Sequence, residues 1–139
     1  MSEILPKEDT PLDVIGRYLD AMRSGDRETG YRFFAEDVSF HIPGRSRFAG
    51  HHRGREAAVN YIESAVAVTH EGQVELELID TLVGRERVAL LLHERFKRPD
   101  GIVDIRRANV YRVAGEEIVE IWIFEGDQYA VDALMASTA

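Results

Sequence analysis

ALLLHERFKRPDGIVDIRRANVYRV, Ala89 to Val113, is the stretch whose reading decides the fold. Val, Ile, Leu, Phe and Tyr crowd both flanks, as strands do, and Pro99-Asp100-Gly101 supplies a reversal between them. The segment therefore reads as a long antiparallel hairpin. His93, Arg107 and Asn109 interrupt its apolar runs where an ordinary core wants hydrocarbon. With the turn centred on Pro99–Gly101, residues whose numbers sum to about 200 face each other. His93 then lies opposite Arg107, and Asn109 opposite Leu91. Side chains of like parity share a sheet face, so His93, Arg107, Asn109 and Tyr111 are expected to project together into a pocket that breaks the core.

Outward from the hairpin, strands continue on both sides. Val74, Leu76, Leu78 and Leu82 alternate with Glu75, Glu77 and Thr81 at period two. Ala114-Gly115-Glu116 turns the chain into a last strand, Ile118–Glu125. Helices occupy the N-terminal half. Thr10 caps a helix with Pro11 at its first position, followed by Leu12, Ile15, Tyr18, Leu19 and Met22 at helical spacing and Gly25 at its end. Asp26 caps a second, shorter helix through Phe33 and Phe34. Val38–Ile42 is a short strand, and after a loop a third helix runs from about Arg55 to Val68, with Ala58, Ile62, Ala65 and Val66 on one face. Gly126-Asp127 opens a closing helix. Helices first and a strand meander afterwards indicate an α+β domain, a single one over residues 1–139. Its curved antiparallel or mixed sheet packs against the N-terminal helices as a cone with a hollow interior.

Composition bounds the partners. The chain has 139 residues, 45% hydrophobic, which suits one core. Its net charge of −8 disfavours nucleic acid. No apolar run reaches the roughly 20 residues of a membrane span, and the acidic, polar start is unlike a signal peptide, so a cytoplasmic protein is expected. Cysteine is absent, which excludes thiol chemistry. Arginines and histidines concentrate in HIPGRSRFAGHHRGR, His41 to Arg55, either as a solvated loop or as an anion-attracting one. The adjacent His51 and His52 lack metal-site spacing, so neither metal nor cofactor is expected. No phosphate loop and no nucleophile elbow is present.

YLDAMRSGD, FFAEDVSFHIPG, AGHHRGREAAVNYI, VYRVAGEEIVEIWIF and DQYAVDAL together resemble the nuclear transport factor 2-like superfamily, which includes SnoaL-like cyclases, ketosteroid isomerase and scytalone dehydratase. The resemblance runs from about Leu12 to Leu134. It implies the cone-shaped, cystatin-like roll, a small hydrophobic molecule in the cone, and a homodimer through the outer sheet face. On the isomerase template Tyr18 occupies the oxyanion-hole tyrosine position and Asn109 that of the donor acid. The base position falls at Ile42, which carries no proton chemistry. On the dehydratase template His93 and His70 fall at the two histidines and Asn109 at the asparagine, while Met22 and Arg23 replace a tyrosine–aspartate pair. An epoxide hydrolase of this fold needs an Asp–Arg–Asp relay. Asp104 and Arg106 offer part of one, but Phe124 stands near the second carboxylate's place.

The resulting expectation is a cofactor-free lyase or isomerase, dehydratase- or cyclase-like, acting on a small hydrophobic carbonyl compound, or else a non-catalytic small-ligand binder or dimeric interaction module. His93 is the expected acid–base group and His70 its assistant. Asn109 and Tyr18 hold the oxyanion, and Trp122, Phe124, Arg107, Tyr111, His41 and Ile42 line the substrate. Plainer alternatives stand beside these: a buried imidazole bonded to a backbone carbonyl or to Glu94 at His93, a surface histidine at His70, a structural amide bonded to a neighbouring strand at Asn109, core packing at Tyr18 and Trp122, a cap at Asp127. For Arg107 it is an ion pair with a glutamate such as Glu94 or Glu120.

Overall fold

The computed structural model describes residues 10–69 and 74–136. Four helices, α1 (Pro11–Arg23), α2 (Arg27–Tyr31), α3 (Arg55–Ala67) and α4 (Gln128–Ala136), accompany six strands. These are β1 (Phe34–Ile42), β2 (Gly50–Arg53), β3 (Val74–Val83), β4 (Arg87–Arg98), β5 (Gly101–Ala114) and β6 (Glu117–Glu125). They form one sheet in the order β2-β1-β6-β5-β4-β3. Only β1 and β6 run parallel; the other pairings are antiparallel. Among the described residues no helix is long and apolar enough to cross a membrane.

Local chemistry sets the helices. Thr10 Oγ1 accepts the Asp13 N–H at 3.2 Å and Asp13 Oδ2 accepts the Thr10 N–H at 3.0 Å, a reciprocal cap with Pro11 just inside. The inward face of α1 carries Val14, Ile15, Tyr18 and Leu19. Leu12, expected on that stripe, is 42% exposed instead. Asp127 caps α4, its Oδ1 accepting the Ala130 N–H at 3.1 Å. Two boundaries differ from expectation. Phe34 begins β1 rather than ending α2, because its fully buried ring and the buried Val38 and Phe40 follow the sheet. Gly50–Arg53, expected as loop, pairs with β1 as an edge strand.

The decisive correction concerns the long hairpin. Arg98 pairs with Gly101, so only Pro99 and Asp100 make the turn and partner numbers sum to 199. His93 therefore faces Arg106, Leu92 faces Arg107, and Leu90 faces Asn109. Side-chain alternation turns this one-residue difference into a change of face. Arg107, Asn109 and Tyr111 share the concave face with Leu90, Leu92 and Glu94, while His93 stands on the convex face. Parity in β6 follows from the same ladder. Ile121 and Ile123, opposite Tyr111 and Asn109, point inward, and Trp122 and Phe124, opposite Val110 and Ala108, point outward. The core lies between the concave face and the inner sides of α1, α3 and α4, around the fully buried Phe34, Ile15, Leu90, Ile105 and Ile118.

Candidate active site in the cone

A cavity of about 650 Å³ fills the cone. Its walls are largely apolar: Leu19 and Met22 come from α1, Ile62 from α3, and Leu92, Phe96 and Ile123 from the sheet. All four α3 residues expected on one face, Ala58, Ile62, Ala65 and Val66, line it. The exposed Arg23, Ser24 and Gly25 mark its mouth. Polar side chains gather on the sheet wall and beside it: Tyr18, Tyr61, Glu94, Arg107, Asn109 and Tyr111. This is the form of a small-molecule site, an apolar hollow with a few convergent polar groups.

Arg107 anchors that wall. Its Nη2 lies 2.9 Å from Glu125 Oε2 and its Nε donates to Glu125 Oε1 at 3.0 Å, a two-pronged pair, while Nη1 lies 3.2 Å from Glu94 Oε2. The three side chains are 9%, 1% and 13% exposed. Burial opposes the guanidinium charge, but Glu94, Tyr61 and Glu125 more than offset it, so Arg107 is held protonated. Burial pushes the Glu125 carboxyl above the usual carboxylate range, although Arg107 pulls it down. Two carboxylates against one guanidinium leave a surplus negative charge in a dry place, and the nearby Glu94 adds to the rise of Glu125.

A tyrosine pair continues the wall. The rings of Tyr18 and Tyr111 lie 5.6 Å apart, and their hydroxyls are hydrogen-bonded, Tyr18 donating to Tyr111. Asn109 Nδ2 also donates to the Tyr111 hydroxyl oxygen, at 3.2 Å. Burial pushes Tyr18 well above the ordinary phenol range, with Tyr111 adding to the rise. It pushes Tyr111 up to about 12, against the opposing bonds from Asn109 and Tyr18. An oxygen that accepts two hydrogen bonds is polarised toward giving its own proton. Tyr111 is therefore set up as a donor. Two acceptors in the cavity wall, Glu94 Oε2 and Asn109 Oδ1, are sealed from solvent and accept no hydrogen bond.

Of the residues singled out in the sequence, Tyr18, Arg107, Asn109 and Tyr111 come together here. Five others stand elsewhere. His93 is 6% exposed on the convex face and bonds the carboxylates of Glu77, at 3.3 Å, and Asp104. That hydrogen bond holds the Asp104 carboxyl below its usual range; His93 is buried and bonded, but to Glu77 and Asp104 rather than to a backbone carbonyl or Glu94. Trp122 and His41 stack on the convex face with ring centroids 5.4 Å apart, and His41 stacks in turn on His51 at 4.5 Å. Phe124 is 56% exposed there. Ile42 is buried beside a second, smaller cavity with Phe48 and His52. His70 lies outside the described residues. Asp104 and Arg106 are on the convex side, so no relay forms through them.

Three cone residues were overlooked as functional candidates. Glu125 shares parity with Ile121 and Ile123, which the alternation of EIVEIWIFE already indicates. Glu94 is two residues from Leu92 on the inward parity of β4, where it bonds Arg107 as the ion-pair alternative foresaw. Glu120 instead meets His41 at 2.8 Å and Arg112 at 3.3 Å. Tyr61 sits one helical turn after Ala58, on the face that α3 buries.

Residues 15–121 match the SnoaL-like domain family, and the chain belongs to it; its fold is that of nuclear transport factor 2-like proteins. An uncharacterized protein of Mycobacterium tuberculosis H37Rv is 28% identical over 130 residues, covering 93% of this chain and 98% of that one. Bal32a, from a soil-derived mobile gene cassette, superposes with a TM-score of 0.81 at 28% identity, over 90% of this chain and 95% of its own. A cystatin-like protein of unknown function from Xanthomonas campestris reaches 0.82 at 24% identity, over 91% of this chain and 98% of its own, a likeness of fold.

Proposed function

We propose that the cone takes up a small, largely apolar molecule and acts on it by cofactor-free acid–base chemistry of the lyase or isomerase kind. Glu94 is the base in this reading and Tyr111 the acid. The observation that carries it is the placement of an ion-paired carboxylate and a doubly accepting phenol on one wall of an apolar cavity of about 650 Å³. Glu94 takes a proton from carbon beside a polarised carbonyl or from a leaving position. Tyr111 donates to the oxygen on which charge develops, and Tyr18 and Asn109 hold that phenol in place. Arg107 and Glu125 fix the orientation of Glu94.

The test is turnover of a panel of enones and hydroxyketones by Glu94→Gln and Tyr111→Phe. Each variant is expected to lose roughly 10²–10⁴-fold in kcat while remaining folded. Unchanged turnover in both rejects the assignment. A second reading, a non-catalytic binder, is favoured by the Arg107 guanidinium already paired with Glu94 Oε2 at 3.2 Å. Saturable binding without product by the native protein supports that reading.

The same proposal includes a homodimer through the convex face. Leu91, Ala108 and Phe124 are register partners across three neighbouring strands, and they form an apolar row that a second copy would cover. Sedimentation of native protein and Phe124→Lys, expected to shift toward monomer, checks it. A cytoplasmic setting remains the expectation from composition.

A further inference from the structure

The cavity's unsatisfied groups restrict what can occupy it. Hydrogen-bond capacity on the polar wall divides unevenly. Tyr18 spends its proton on Tyr111, and Asn109 directs one amide hydrogen at the same oxygen. Besides the Tyr111 hydroxyl proton, what remains is acceptor capacity, at Asn109 Oδ1, which has no hydrogen bond, and at Glu94 Oε2, which faces Arg107 Nη1 at 3.2 Å as an ion pair but accepts no hydrogen bond. Both atoms belong to cavity-lining residues on neighbouring strands. The third sealed acceptor among the described residues, Thr69 Oγ1, is outside the cavity. A buried acceptor left empty costs free energy, and a ligand that brings only a carbonyl adds another acceptor to a wall already rich in them.

We infer that the occupant is a hydroxylated apolar molecule whose O–H groups donate to Glu94 Oε2 and Asn109 Oδ1, with an oxygen left to accept from Tyr111. This rests on the reading of the cone as a small-molecule site and names its ligand class: a hydroxylated ring compound or hydroxycarbonyl compound rather than a simple ketone. Apolar walls of Leu92, Phe96 and Ile123 bind the body, and the polar wall selects the head. Selection of this kind is sharp, because an analogue lacking the donor leaves the protein's acceptors stranded.

The experiment uses the native full chain and four probes of similar body: naphthalene, 2-acetonaphthone, 2-naphthol and 2,7-dihydroxynaphthalene, titrated by calorimetry. Affinity is expected to rise roughly tenfold for each donor engaged, with the ketone no tighter than naphthalene. In Asn109→Leu, which removes one acceptor, the advantage of the dihydroxy compound over 2-naphthol should fall by a similar factor. A ketone that binds as tightly as the naphthol overturns the inference. So does equal binding of all four, which leaves the cone a small-molecule site without this preference. Failure of all four to bind overturns the inference and the reading beneath it together. An Asn109 amide turned end for end would present N–H to the cavity and favour the ketone, so that reversal is read directly.

Discussion

Replacing Arg107 by Met removes the only guanidinium between Glu94 and Glu125 and leaves two carboxylates facing each other in the interior. Both distances, 3.2 Å to Glu94 and 2.9 Å to Glu125, are contact pairs, and the Glu125 side chain is 1% exposed, so water replaces little of what is lost. Breaking a buried pair by deleting one partner costs about 3–5 kcal/mol, because a charge is left uncompensated. With an unfolding entropy of roughly 2.1 cal/mol/K per residue, this 139-residue chain should melt roughly 10–17 °C lower. The deficit depends on pH with a definite sign. Glu125 is already raised in the folded protein, from an ordinary value of 4.5. The native state thus holds its proton more readily than the unfolded chain, and stability declines as pH climbs through the raised value. Without Arg107 that decline steepens, so the loss is greatest at mildly alkaline pH and shrinks toward the ordinary glutamate range. Scanning calorimetry of both proteins at two such pH values measures it. A triple replacement, Arg107→Met with Glu94→Leu and Glu125→Leu, should recover most of the melting temperature, since apolar groups need no counter-charge. A single variant that melts within about 2 °C of the native protein at both pH values refutes the buried triad.

Other expectations follow from the same geometry. Tyr18→Phe deletes a hydrogen bond to Tyr111, which should cost about 1 kcal/mol in urea unfolding and raise the Tyr111 phenol further, since that bond is one of the contacts that lower it, read by ultraviolet pH titration. His93→Ala should lower the melting temperature and let the Asp104 carboxyl rise toward its ordinary range, by NMR titration, while ligand affinity in the cone is unchanged. Ile105→Ala, at a fully buried site opposite Glu94, should cost about 2–5 kcal/mol in urea unfolding. Gly126→Ala would place a Cβ 2.8 Å from the Arg106 carbonyl oxygen. It should cost about 1–3 kcal/mol, again by urea unfolding, and loosen the strand end that presents Glu125.

Much of the architecture was legible because local signals agree with the global fold. Thr10-Pro11, Gly25, Asp26 and Gly126-Asp127 punctuate the helices, and the period-two stretches after Gly72 give the meander. The register of the hairpin was not legible to the residue. Pro99-Asp100-Gly101 reads as a three-residue reversal, yet Gly101, at φ +144°, is already in the strand opposite Arg98. That single position moved His93 from the hollow to the outer surface, and it moved the expected chemistry from an imidazole to Glu94. Trp122 and Phe124, expected to line the hollow, lie outside it for another reason. Both faces of β6 are apolar, so hydrophobicity alone does not say whether Ile121 and Ile123 or the aromatic pair lie inside. Arg107, Asn109 and Tyr111 kept their common face because spacing within one strand survives an error in its pairing.

The aromatic stack on the outer wall settles how this protein can be watched. Its lone indole lies flat on His41, with the Arg87 guanidinium 5.5 Å from the ring centre. Intrinsic emission excited at that indole therefore listens to the outside of the roll and not to its interior. Occupancy of the interior has a separate voice in the near-ultraviolet circular dichroism of Tyr18 and Tyr111. Two spectroscopic channels, divided by the thickness of one sheet, let the outer face and the interior be followed separately in a single unlabelled sample.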